Sequence, residues 1–195
     1  RHSIADLLAN LNQVREEIEM RQFLAGHISG IKVLAAPLNP EQADAIGEQE
    51  VRQIITLYRQ IFDFQVIDLP PLFNEIVLAA LEIATCIIIV TTMEVPTLRN
   101  VFSGLDILQR LDVPRDKLLV VVNRFHPDRE LTIEDIKKYL GWSELFYLND
   151  EPEQVISSVN AGEPLVILYR ESQLARQLYS LAQQVIERLR GGRGI

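Results

Sequence analysis

The sequence predicts an α/β fold: a mostly parallel sheet with helices on both faces. Three observations carry that expectation. Short β-branched runs alternate with segments of helical periodicity along most of the chain. The runs Cys86–Val90 and Leu118–Val122 are apolar at every position, the pattern of strands buried on both faces rather than one. The segments between such runs are long enough to cross back over a sheet as right-handed helical connections.

The elements follow in order. Leu7, Leu8, Leu11, Val14 and Ile18 recur at helical spacing, and Ile31–Ala35 is a β-branched run that ends before Pro37. Residues 38–47 form a polar loop with Asn39-Pro40, after which Val51, Ile54, Ile55, Tyr58, Ile61 and Phe62 mark one apolar helix face. Phe64–Ile67 is expected as a strand closed by Asp68-Leu69-Pro70-Pro71, whose prolines cannot donate to a ladder. A helix near Asn74–Ile83, the strand Cys86–Val90, a helix over about Pro96–Leu111 and the strand Leu118–Val122 continue the alternation. Thr132-Ile133-Glu134-Asp135 reads as a helix capping box, Leu145–Leu148 as a last strand, and Pro152 as a first-turn proline. The final helix places Leu174, Leu178, Leu181, Val185 and Leu189 on one face and ends at Gly191-Gly192-Arg193-Gly194.

Composition narrows the function. With 48% hydrophobic and 24% charged residues in 195, the chain can bury a core, and no Gly/Ser/Pro-rich linker divides it, so one domain is expected. The net charge of −8 argues against a broad DNA-binding footprint. A single cysteine, Cys86, at the start of a buried strand, suits packing better than nucleophilic chemistry, and a reducing cytoplasmic setting fits. His2, His27 and His126 lack metal-site spacing.

In open α/β sheets ligands gather at the carboxyl ends of strands. Four places qualify: Asp68–Pro71, Thr91–Glu94, Asn123-Arg124 and Leu148–Asp150. An aspartate after a buried strand can hold the magnesium that bridges nucleotide phosphates, or it can simply terminate the strand. The Asn123 amide can both donate to and accept from an adenine edge, or it can serve a turn. Asp68 followed by Thr91 or Thr92 imitates two parts of a phospho-receiver site, but the next strand ends in Asn123-Arg124 without the lysine that site needs.

Jointly, Phe64–Pro71, Leu78–Ala84, Ile89–Asn100 and Val122-Asn123-Arg124 resemble the MinD/ParA group of deviant P-loop ATPases, most of all its CpaE/TadZ branch. The likeness runs from Ser3–Leu8 to Asn160–Leu165. It implies a P-loop NTPase-like three-layer sandwich that binds ATP and Mg2+ and forms a homodimer. The expected partners are proteins of a pilus or secretion apparatus, at a polar or membrane-associated site in the cytoplasm.

Position by position, the resemblance makes Asp68 the Walker B aspartate and metal ligand, and Leu69–Glu75 a switch that senses the γ-phosphate. It makes Asn123 the adenine reader with Arg124 beside it, and puts Asn149 and Asp150 in a second loop near the base, where the family carries a proline before the acidic residue. MinD also contacts membrane through its C-terminal helix, but Arg188, Arg190 and Arg193 here are better read as cations that favour the helix C-terminus through its dipole, with the apolar face packed on the sheet.

One departure is large. The lysines are Lys32, Lys117, Lys137 and Lys138, and none follows a glycine, so the Walker A strand and loop are lacking. The family's loop precedes the position matching Arg1, and the expectation is that residues 1–195 are the C-terminal portion of one ATPase domain. Such a segment alone is expected to be inactive, because nothing in it replaces the loop's amides and lysine. The alternative is a non-catalytic scaffold that dimerises and recruits partners.

Overall fold

The computed structural model describes residues 2–11, 17–37, 39–44 and 46–191. They fall into two compact units, Arg1–Ala84 and Thr85–Ile195.

The first unit is mainly helical: α1 (Ile4–Asn10), α2 (Glu17–Arg21), α3 (Pro40–Asp44), α4 (Glu48–Tyr58) and α5 (Glu75–Ile83). Leu7, Met20, Ile54 and Tyr58 form its core, and the Tyr58 hydroxyl donates to the Met20 carbonyl at 3.1 Å. The Asp6 carboxylate caps α1 by accepting from both the Ser3 N–H and hydroxyl, which lowers its pKa. The Asn74 side chain caps α5, accepting from Val77 N–H at 2.9 Å.

Four expectations for this unit are corrected. Phe64–Ile67 forms no strand: among the described residues none pairs with it, and Val66 is 96% exposed. The run Ile31–Ala35 contributes only β2 (Lys32–Val33), antiparallel to β1 (Ala25–Gly26), with Ser3 bridging to Ala35 in parallel. A strand exists through its ladder, so an apolar run without a hydrogen-bonding partner stays irregular whatever its propensity. The expected first helix is observed as α1 and α2, and Ile18 is largely exposed; Val14 lies outside the described residues. The polar stretch 38–47 holds the short α3.

The second unit carries the expected parallel sheet: β3 (Ile87–Thr91), β4 (Leu118–Phe125) and β5 (Leu145–Asn149), in the order β3-β4-β5. All five residues Leu118–Val122 are buried because both faces are covered. Leu119 and Val121 pack with Leu148, Leu165, Leu174 and Ala175, under α9 (Leu165–Leu168) and α10 (Gln173–Gly191). On the other face, Leu118 lies beside Leu105 of α6 (Val95–Arg110) and Leu140 of α7 (Ile133–Leu140). This is the three-layer arrangement. The helix that follows β5, α8 (Pro152–Ala161), begins with proline as expected.

The capping box of α7 is present. The Asp135 carboxylate accepts from the Thr132 hydroxyl (2.6 Å) and N–H (3.0 Å), while Thr132 Oγ accepts from the Asp135 N–H. The hydroxyl bond first, and the backbone bond second, hold the Asp135 pKa below its ordinary 3.8. A depressed carboxyl pKa contributes stability above the unfolded value, and that contribution is lost as pH falls through the folded one. Thr132→Ala should lower stability by about 1 kcal/mol at neutral pH, read as a smaller urea midpoint, with the difference shrinking in acid. An unchanged midpoint at neutral pH would show that the cap contributes nothing.

Arg188 of α10 donates to the Leu118 carbonyl (3.0 Å) and to Glu144 (3.1 Å), so it ties the helix to the sheet. Arg193 lies outside the described residues. Among the described residues no helix is long and apolar enough to cross a membrane. Cys86, half-buried just before β3, has its thiol pKa raised by burial, the direction of an unreactive packing residue.

Candidate functional site

The carboxyl end of β4 is irregular in a specific way. Val122 pairs with Tyr147 and Phe125 with Asn149, so β4 carries one extra residue over this stretch, a bulge at Asn123-Arg124. Arg124 adopts φ 53°, the left-handed region that a side chain with a Cβ rarely occupies, and such strain costs on the order of 1 kcal/mol. The Asn123 side chain supports the turn: its Oδ1 accepts from Arg124 N–H at 3.0 Å. The Asn123 amide NH2 and a second lone pair on Oδ1 remain, enough to donate and accept along a base edge. Arg124 is exposed and Asn123 half-buried.

The bulge brings the end of β4 against the loop after β5. Asp150 N–H donates to the Phe125 carbonyl at 3.0 Å, and the Phe125 and Tyr147 rings meet at 4.7 Å between centroids. Asn123, Arg124, Asn149 and Asp150 therefore share the carboxyl end of the sheet. Asn149, however, is engaged: its N–H donates to Gln177 Oε1 (2.8 Å) and its Oδ1 accepts from Gln177 Nε2 (2.9 Å). Asp150 is exposed.

At the end of β3, Thr92 and Glu94 add acceptors before α6. Hydrogen bonding from the Thr92 hydroxyl, with weaker help from the charges of Arg129 and Arg124, holds the Glu94 carboxyl below its usual range. Thr91 is fully buried and donates to the Thr92 carbonyl. Glu94, Arg129 and Gln177 were not singled out as site residues from sequence. Glu94 stands in the Thr91–Glu94 strand end, which was one visible signal. Gln177 has none, because its partner is 28 residues away.

Asp68 lies in the first unit, on an irregular exposed stretch, and its carboxylate has no hydrogen bond or ion pair among the described residues. Leu69–Asn74 is likewise irregular, and Glu75 opens α5. A lone free carboxylate fits one ligand position of Mg2+, an ion that keeps several waters and takes only one or two protein carboxylates. Among the described residues no group of three or more His, Cys, Asp or Glu side chains is placed to hold a metal by itself.

A parallel sheet between two helical layers, with polar side chains gathered at the carboxyl ends of its strands, defines a three-layer α/β fold. In sequence it is similar to septum site-determining proteins named MinD. The chain is 29% identical over 140 residues to the septum site-determining protein MinD of Synechocystis sp., a match covering 69% of the chain and 52% of that protein. The chain thus spans about half the length of this relative. No protein-family model matches it.

Among solved structures, a ParA family ATPase from Chlorobium tepidum superposes with a TM-score of 0.86 at 17% identity, covering 94% of this chain and 76% of the other. MinD of Pyrococcus horikoshii, solved with Mg-ADP, gives 0.76 at 19%, covering 95% and 73%. MinD in its complex with MinC from Aquifex aeolicus gives 0.73 at 20%, covering 98% and 78%. At these identities the structures establish the fold.

Proposed function

We propose that this chain is the distal part of a MinD/ParA-type ATPase of the CpaE/TadZ kind, whose ATP-bound homodimer is a spatial switch for assembling a pilus or secretion machine. In this reading Asp68 holds Mg2+, Leu69–Glu75 senses the γ-phosphate, and Asn123, with Arg124, Asn149 and Asp150, receives the adenine. A preceding segment supplies the glycine-rich phosphate loop, together with a strand to pair with Phe64–Ile67. The greater length of the MinD relative and the exposure of Val66 favour that arrangement.

The observation that carries the reading is the bulge at Asn123-Arg124. It places a half-free amide at the end of the central buried strand of a sheet that superposes on ATPases of this class. The test is nucleotide affinity of the protein with its preceding segment. Asn123→Ala should weaken ATP binding and reduce the preference for ATP over GTP by about 1–3 kcal/mol. An unaltered ratio removes Asn123 from the site. A longer protein with a degraded phosphate loop and no turnover would favour the non-catalytic scaffold.

A further inference from the structure

We propose that Gln177 is a positioning residue that holds the Asn149–Asp150 loop in the geometry base recognition needs; the proposal rests on the nucleotide-binding reading above. Gln177 lies half-buried on α10, and both ends of its amide are used on one residue. Its Oε1 accepts from Asn149 N–H and its Nε2 donates to Asn149 Oδ1, at 2.8 and 2.9 Å. The pair closes a ring that fixes the backbone and side chain of Asn149 together. It also satisfies an N–H at the end of a strand, which would otherwise be left without a partner.

The platform behind Gln177 is buried and hydrogen-bonded. Leu174 and Ala175, three and two residues earlier on α10, are buried in the core under β4 and β5. A second tie joins the same two elements: Leu174 N–H, an orphan donor of the first helical turn, reaches Glu151 Oε1 at 3.1 Å. From the other side Asp150 N–H is held by the Phe125 carbonyl, next to the bulge that aims Asn123. The loop is therefore fixed at Asn149, Asp150 and Glu151 in succession. The Asn149 amide is a strut in this arrangement, and the exposed Asp150 carboxylate and the loop carbonyls are the groups left to meet a ligand.

The positions are not equivalent to a proline, which would restrict the same backbone by its ring and need no acceptor for an N–H. Here the restriction is imposed from α10. It should therefore be removable without touching the loop.

The experiment uses the full-length protein, and measures hydrogen exchange at the Asn149 amide alongside ATP and GTP affinities. Gln177→Leu keeps the side-chain volume and removes both hydrogen bonds. It should accelerate Asn149 exchange and weaken ATP binding about tenfold, with a reduced ATP-over-GTP ratio. Gln177→Glu restores a two-point clamp, since one carboxylate oxygen accepts from Asn149 N–H and the other from the reoriented Asn149 amide NH2. It should keep wild-type affinity within about threefold. Faster exchange in Gln177→Leu with unchanged affinities and ratio would overturn the positioning role alone. Wild-type protein that binds no adenine nucleotide would overturn the reading of the site and this role with it. Should Gln177→Leu not fold, the milder Gln177→Asn decides: a smaller reduction of the same ratio supports the role, and an unchanged ratio overturns it.

Discussion

On the proposed ATPase reading, Asp68→Ala in the full-length protein should reduce Mg2+-dependent ATP turnover by at least about 100-fold while leaving the fold intact. The two halves of that expectation come from different facts. Turnover should fall because phosphoryl transfer depends on charge placed at the metal and phosphates, and a lost carboxylate at that point is felt mainly in the transition state. Stability should hold because Asp68 is exposed, sits on an irregular stretch and has no hydrogen bond or ion pair among the described residues. Surface substitutions of that kind stay within about 0.5 kcal/mol. The check is an ATPase assay beside a denaturant titration of the same samples. Wild-type turnover in the variant would take Asp68 out of the site, and a large loss of stability would make it a structural residue instead.

Leu119→Ala should destabilise the second unit by about 3–5 kcal/mol, a large share of the 5–15 kcal/mol that holds a typical domain folded. Leu119 is 1% exposed on the central strand β4, packed with Val121, Leu148, Leu174 and Ala175. Neighbouring strands on both sides and helices above limit how far the site can collapse around the vacated volume, so the cavity adds to the lost transfer energy. Urea unfolding followed by circular dichroism measures it. A cost under about 1 kcal/mol would mean that the core relaxes freely and is not close-packed there.

Much of the second unit was legible because its signals are local. The run Leu118–Val122 is apolar throughout and becomes a strand buried on both faces. The box Thr132–Asp135 satisfies its own donors and starts α7. Pro152 opens α8, and the leucines of the last helix face the core at Leu174 and pack at Leu178 and Leu181. In each case the deciding interactions lie within one or two turns of chain, or depend only on which face is apolar.

Phe64–Ile67 shows the limit of such signals. Its propensity is that of a strand, yet a strand is made by a second chain segment, and among the described residues no partner is present. The same reason hid the bulge. Nothing in Val122-Asn123-Arg124 announces that β4 will carry one residue more than β5, or that Arg124 will take φ 53°.

By itself, then, the sequence determined the parallel α/β class, the capping box of α7, the buried strands of the second unit and the residues at their carboxyl ends, all through periodicity and short-range hydrogen bonding. Only the tertiary structure decided that Asn149 is bonded to Gln177 and that Arg188 ties the last helix to the Leu118 carbonyl. These pairs span 28 and 70 residues, and a polar group's partner at that distance is set by how whole elements pack, which no local pattern encodes.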